Sequence, residues 1–283
     1  MNYRHAYHAG NFADVLKHAA LALVLEHLKR KDTAFRVLDM HAGTGLYDLS
    51  GREAGKTGEW AGGIGRLIGS VPPLDAASAE RLAPYLDAVR ALNPHGLRFY
   101  PGSPRLALAL MRPQDRLIAV ELHPEDAAAL GRNLAGDPRA KALTLDAYRA
   151  LKALLPPKER RGLVLIDPPF EARDEFARLV RGLRQALKRW ATGIYLVWYP
   201  IKDPAQTNDF AGRMAEIGLP ETLRAELFVA APKDQGFNGC GLLVLNPPYT
   251  LEADLGALGP ALAARLAQGP GHGFRLDRLA GES

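Results

Sequence analysis

The 283 residues include a single cysteine, Cys240, so no disulfide can close within the chain and no multi-cysteine zinc site can be built. A reducing compartment fits that usage. Long apolar runs are missing as well. The longest early one, Ala19 to Leu25, is bounded by His18 and Glu26 and is far too short to cross a bilayer. Where a secretory signal would need an apolar core, the chain carries His5, His8, Asp14, Lys17 and His18, which leads to the expectation of a cytoplasmic protein. There is no internal repeat and no low-complexity tract. His5, His8 and His18 cluster early, but no metal-ligand set with firm spacing appears, so no catalytic metal is expected. What is present is an ordinary globular composition, 47% hydrophobic and 24% charged, with a net charge of +5 and a pI near 9.3. That balance is compatible with a polyanionic partner without selecting one.

Residues 12–30 read as a helix, with Asn11 as N-cap, Asp14 in the first turn and Lys29 and Arg30 at the end. Leu16, Ala20, Leu23, Val24 and Leu28 recur at helical spacing and should face the core. Apolar runs suited to buried strands follow at 36–39, 117–121, 142–146, 163–167 and 194–198, separated by helical patterns at 124–135, 174–189 and 204–217. This alternation predicts a doubly wound parallel sheet. Two further strands near 225–230 and 241–245 are expected as an antiparallel hairpin at one sheet edge, then a helix near 257–267 and a polar end. In an uninterrupted βαβ unit the acidic residue closing the second strand lies about 20 residues beyond the glycine loop. Glu121 lies far beyond Gly45, so residues 46–98 are expected to hold an insertion, with a helix near 77–92, forming a small helical lobe beside the ligand end of the sheet.

The first strand ends Val37-Leu38-Asp39 and runs into Met40-His41-Ala42-Gly43-Thr44-Gly45. Gly43 and Gly45 allow a tight turn and close approach of backbone to a ligand, but Asp48 stands where a dinucleotide fingerprint has its third glycine. Glu121 and Asp146 each end a predicted strand, at the carboxyl edge where α/β sheets bind ligands. Glu121 suits two ribose hydroxyls and Asp146 the exocyclic amine of an adenine. With the glycine loop, in this order, they describe an adenosine site.

Directly after the apolar strand Leu163-Val164-Leu165-Ile166 comes Asp167-Pro168-Pro169-Phe170. An adenine amine is a poor nucleophile because its lone pair is conjugated with the ring. A carboxylate (Asp167) and a backbone carbonyl (Pro168) that accept both N–H bonds hold the nitrogen and let it pyramidalise toward a methyl donor. The two prolines fix the loop, and Phe170 offers a face on which a flipped-out base can stack. The donor such chemistry calls for is S-adenosylmethionine, whose sulfonium is already activated. Asn246-Pro247-Pro248-Tyr249 has a similar composition but ends the last predicted strand, whereas the reaction loop should follow the fourth. Cys240, flanked by Gly239 and Gly241, lacks the preceding proline used for attack on pyrimidine rings.

The opening Asn2-Tyr3-Arg4-His5-Ala6-Tyr7-His8-Ala9-Gly10-Asn11-Phe12-Ala13-Asp14-Val15-Leu16-Lys17-His18 closely resembles the RlmJ family, bacterial 23S rRNA (adenine-N6)-methyltransferases. So do His41-Ala42-Gly43-Thr44-Gly45, Tyr100-Pro101-Gly102-Ser103-Pro104, Glu121-Leu122-His123-Pro124, Asp167-Pro168-Pro169 and Ala191-Thr192-Gly193-Ile194-Tyr195, in the family's order over nearly the whole chain. The resemblance implies a single domain, 1–283, with a Rossmann-like class I methyltransferase fold: an α/β, doubly wound, seven-stranded sheet with the 46–98 lobe inserted. It implies that His18, His41, Gly43, Ser103, Glu121, Asp146, Ala147 and Asp167 meet S-adenosylmethionine, with Asp167, Pro168 and Phe170 at the reaction. It also implies that residues 1–11, which by composition read as a frayed arm, contact substrate, through Tyr3 and Arg4, with Lys17 beside them. Phe170 replaces the family's usual Tyr and Ala147 an expected Gly. The substrate implied is 23S rRNA before full subunit assembly, with no obligatory protein partner and no membrane. Basic residues between Arg149 and Arg189, among them Lys152, Lys158, Arg160, Arg161, Arg173, Arg178, Arg181, Arg184 and Lys188, suit phosphates or simply a solvated helix face. A DNA adenine-N6 methyltransferase and a non-catalytic RNA-binding protein on the same fold stay open as alternatives.

Overall fold

The Asn11 side chain caps the first helix, α1 (Phe12–Lys29), accepting the backbone N–H groups of Ala13 and Asp14, each at 3.0 Å. The helix was expected to bury one face. In the computed structural model, which describes residues 4–69, 73–218, 221–231 and 237–279, it is buried almost all round, Asp14, Lys17 and His18 included. The elements that follow are β1 (Arg36–Asp39), β2 (Leu46–Asp48), α2 (Arg52–Thr57), α3 (Ala76–Ala91), β3 (Phe99–Pro101), α4 (Ser103–Leu110), β4 (Arg116–Glu121), α5 (Pro124–Leu134), β5 (Ala140–Thr144), α6 (Ala147–Leu154), β6 (Gly162–Ile166), α7 (Glu175–Arg189), β7 (Ile194–Pro200), α8 (Pro204–Ala215), β8 (Thr222–Phe228), β9 (Gly239–Leu245), α9 (Leu251–Leu266) and β10 (Gly273–Arg278).

Eight strands make the main sheet, in the order β10-β8-β9-β7-β6-β1-β4-β5. All seven expected strands are there, and β7, β6, β1, β4 and β5 are parallel. The eighth, β10, corrects the expectation of a polar end: it pairs antiparallel with β8 from Gly273 to Arg278, so the β8–β9 hairpin does not form the edge. Of the helices, α1, α3, α4, α5 and α9 contribute to the core on one face, and α6, α7 and α8 to the core on the other. Among the described residues no helix is long and apolar enough to cross a membrane.

After β1 the chain goes to β4 on one side, and returns to β6 on the other, so the switch in winding lies between β1 and β6. Ligands in open α/β sheets bind at the carboxyl ends of strands at that point. The segment expected at 46–98 leaves and rejoins the sheet at a narrow neck, where Leu46 pairs with Pro101 and the Gly102 N–H donates to the Gly45 carbonyl at 3.0 Å. The helix completing the first crossover is therefore α4, for which no helix had been expected; Pro104 suits its first turn.

Candidate active site

Strand β6 is buried along its whole length and delivers Asp167-Pro168-Pro169-Phe170 to the switch point. Phe170 sits at φ +50°, a left-handed conformation costly for a bulky side chain and common where surrounding structure enforces geometry. The Asp167 backbone N–H donates to His41 Nδ1 at 3.2 Å, tying the reaction loop to the glycine loop after β1. Since that ring nitrogen accepts, His41 carries its proton on Nε2. Burial lowers the His41 pKa to about 4, so the ring is neutral near pH 7.

A chain of charges runs behind Asp167. Its Oδ2 accepts from Lys17 Nζ, which also lies 2.7 Å from Asp14 Oδ1. Asp14 Oδ2 in turn is 2.9 Å from His5 Nε2 and accepts the Gly10 N–H at 2.8 Å. Burial works against the charge on both Lys17 and Asp14. Their mutual attraction outweighs it, with Asp167 adding to the pull on Lys17 and His5 to that on Asp14. The lysine is held well above its ordinary pKa and the aspartate well below. Lys17, expected on the RNA, is thus 4% exposed and engaged by two carboxylates.

Two cavities meet at this chain. One, with about 910 Å³ of open space, is bordered by every residue expected at the methyl donor: His18, His41, Gly43, Ser103, Glu121, Asp146, Ala147 and Asp167. Glu121 is anchored by the N–H groups of Gly43 (2.9 Å) and His123 (2.8 Å), which leaves each oxygen a further lone pair. Asp146 caps α6 by accepting the Arg149 N–H at 3.0 Å. His18 is 1% exposed, and its Nε2 has no hydrogen-bond partner among the described residues, a buried polar atom in a cleft whose other groups suit a nucleoside. The residues present therefore fit an adenosine-bearing donor.

The second cavity, about 680 Å³, shares His5, Lys17, Asp167 and Pro169 with the first and adds Pro168, Phe170, Trp198 and Phe237. The Phe170 and Trp198 rings are 5.9 Å apart edge-to-face, and Trp198 and Phe237 6.2 Å, so an apolar, aromatic slot opens beside Asp167. Trp198, Phe237 and His5 had not been singled out for this role. Trp198 ends the expected strand 194–198 and could have been suspected; Phe237 reaches the site only because β7 and β9 pair antiparallel, Pro200 opposite Cys240. Tyr148 and Arg178, also unforeseen here, border the donor cleft, with the guanidinium 4.9 Å above the Tyr148 ring.

Arg4 borders neither cavity; it pairs with Glu125 (2.8 Å) and Asp126 (3.1 Å) at the start of α5. Tyr3 lies outside the described residues. Of the basic set on α7, Arg178, Arg181 and Arg184 have acidic partners in Glu175, Asp174 and Glu216. Asn246-Pro247-Pro248-Tyr249 follows β9, which runs antiparallel to β7, and so lies at the opposite end of the sheet. Asn246, at φ +52°, donates through its amide to the carbonyls of Ala191 (2.7 Å) and Gly193 (2.8 Å), a structural clasp. Cys240 is fully buried, which raises its thiol pKa.

Residues 32–277 match the family described as Ribosomal RNA large subunit methyltransferase D, RlmJ. The chain belongs to this family. It is a methyltransferase. Relatives named Ribosomal RNA large subunit methyltransferase J are 42% identical, one from Haemophilus influenzae over 94% of both chains and one from Escherichia coli K12 over 96% of both. The crystal structure of protein LPL1258 from Legionella pneumophila is 33% identical, covers 98% of this chain and 99% of its own, and superposes with a TM-score of 0.85. The family match over residues 32–277 takes in the segment between Gly45 and Gly102 and nearly all of β10.

Proposed function

We propose that this RlmJ-family enzyme transfers the methyl group of S-adenosylmethionine to the N6 of one adenine in 23S rRNA by a single in-line displacement. The observation that carries the reading is the meeting of the two cavities at Asp167. One is built for a nucleoside donor and the other is an aromatic slot of the kind that holds a flipped-out base. The relatives' names, which refer to large-subunit ribosomal RNA, support the substrate class.

In this reading Glu121 takes the donor's ribose hydroxyls, Asp146 and the Ala147 N–H its adenine, and His18 and Ser103 its amino-acid end. When bound, the donor supplies a methyl group on a positively charged sulfur, ready for displacement. The protein positions the acceptor. Asp167, held by Lys17 and His41, and the Pro168 carbonyl accept the two N–H bonds of the amine, while Phe170 stacks on the base. The Lys17 ammonium holds one oxygen of Asp167 and turns the carboxylate one way, so its other oxygen is presented in a fixed position, and such pre-alignment is what an entropically demanding displacement needs.

The test is transfer of labelled methyl to unmodified 23S rRNA, assembled large subunits and duplex DNA, side by side, with Asp167→Ala as control. Label recovered as N6-methyladenosine at one site of the naked RNA, and lost in the variant while donor binding weakens much less, is the expected result. Label confined to DNA, or near-normal turnover by Asp167→Ala, would overturn the assignment.

A further inference from the structure

His18 sits at the end of a buried hydrogen-bond chain that reaches into the inserted segment. Its Nδ1 is 2.7 Å from the hydroxyl of Tyr100 on β3, and that hydroxyl is 2.9 Å from the hydroxyl of Tyr85 on α3. Both tyrosines are fully buried, and the Tyr100 ring stacks on His18 with centroids 5.4 Å apart. The Tyr85 hydroxyl has no other hydrogen-bond partner among the described residues. This decides the direction of the chain. Were Tyr100 to donate to Tyr85, the Tyr85 proton would point into the core without an acceptor, the costlier arrangement. With Tyr85 donating to Tyr100 and Tyr100 to His18 Nδ1, every buried hydroxyl proton is satisfied. Burial also lowers the His18 pKa to about 3, so the ring holds one proton, and with Nδ1 accepting it must sit on Nε2.

We propose that Tyr85 and Tyr100 are positioning residues whose one-way relay locks His18 as the Nε2–H tautomer, a neutral donor aimed at the carboxylate on the amino-acid end of the methyl donor. The inference rests on the donor-site reading given above. A carboxylate is disfavoured at the other ends of the cleft, where Glu121 and Asp146 present negative charge. The cleft that His18 lines offers instead Ser103, the first residue of α4, where the helix N-terminus favours an anion. A neutral N–H adds a directional hydrogen bond there, which an imidazole accepting through Nε2 could not supply. Since α3 and β3 both belong to the excursion between Gly45 and Gly102, that excursion completes the donor site.

The experiment compares two ligands by calorimetry. S-adenosylhomocysteine has the amino-acid end; 5′-deoxy-5′-methylthioadenosine keeps the nucleoside and lacks it. For Tyr100→Phe we expect S-adenosylhomocysteine to bind on the order of tenfold more weakly, and methylthioadenosine to bind as it does to the wild type. Tyr85→Phe, in which Tyr100 still donates to His18, stays within about twofold of wild type for both. Long-range 1H–15N spectra of histidine-labelled protein, with His18 assigned through His18→Gln, should place its proton on Nε2 in the unliganded wild type. A proton on Nδ1 overturns the relay, as does a Tyr100→Phe protein that binds both ligands normally or loses both equally. A wild-type protein that binds neither ligand removes the donor-site reading itself, a different failure from either of these.

Discussion

Phe170 is the residue at which local geometry and chemistry conflict most. An aromatic side chain at φ +50° is strained on its own account, yet its ring is held by Phe176 at 4.9 Å and Trp198 at 5.9 Å and forms a wall of the acceptor cavity. The backbone strain turns the ring toward the slot instead of along the path of a regular strand-to-helix turn. Base stacking on an aromatic is worth about 1–3 kcal/mol. Phe170→Ala should therefore lower kcat/KM for RNA roughly 10- to 100-fold with donor affinity unchanged, and Phe170→Tyr, which restores the family's usual residue, should keep near wild-type turnover. The discriminating measurement is kcat/KM beside donor Kd for both variants. An alanine variant as fast as wild type would remove the stacking role.

Among the elements, β10 shows how a strand can be illegible until its partner is known. Its Phe274 and Leu276 alternate with Arg275 and Asp277, a pattern that reads as a polar tail when nothing covers it. In the fold those charges answer charges on β8. Arg224, buried to 5% exposure, donates to both carboxylate oxygens of Asp277 (3.0 and 2.6 Å), and Glu226, at 3%, accepts from Tyr199 Oη at 2.8 Å and faces Arg275 at 3.5 Å. Asp277→Ala leaves the Arg224 guanidinium buried with only Asn208 at 3.3 Å, so a loss of about 2 kcal/mol is expected, less than for a fully buried pair because Asp277 is itself a third exposed. Urea unfolding midpoints check this; an unchanged midpoint would mean that β10 is dispensable to the sheet. The parallel strands were readable because burial on both faces leaves unbroken apolar runs such as Leu163 to Ile166. The acids Glu121, Asp146 and Asp167 at or just after the ends of those strands were readable too, and they line one cavity. Helix α4 was not, since Gly102-Ser103-Pro104 signals a turn as well as a helix start. The all-round burial of α1 was not either, because periodicity reports one covered face and cannot count how many neighbours will pack on the rest. Phe237 joins the site through a register between β7 and β9 that no local pattern encodes.

At the scale of the whole molecule, the site imposes a pH dependence on folding. His18, buried, and His41, half-buried, are neutral, with pKa values of about 3 and about 4 against 6.5 for an unfolded histidine. Between those limits the unfolded chain binds protons that the folded one refuses, so stability falls as pH drops below 6.5. Asp39, also buried, acts the other way: burial raises its pKa from 3.8 to about 6, so the folded state is relieved as that carboxyl protonates between pH 6 and 3.8. His8 beside Glu59 is raised above 6.5, and its favourable contribution is already complete at pH 6.5 and constant below it. Two histidines against one aspartate leave a net loss on the order of 2 kcal/mol between pH 7 and pH 5, well above the point where exposed carboxylates titrate. Urea denaturation at half-unit steps from pH 7.5 to 5 should show a midpoint that declines steadily below 6.5, and His41→Gln, which leaves one histidine against Asp39, should remove most of the decline. A midpoint that holds level or rises over that interval would mean that at least one of the two rings accepts a proton in the folded state; where that ring is His41, the hydrogen bond from the Asp167 N–H to its Nδ1, which ties the reaction loop to the donor cleft, would be lost below pH 6.5.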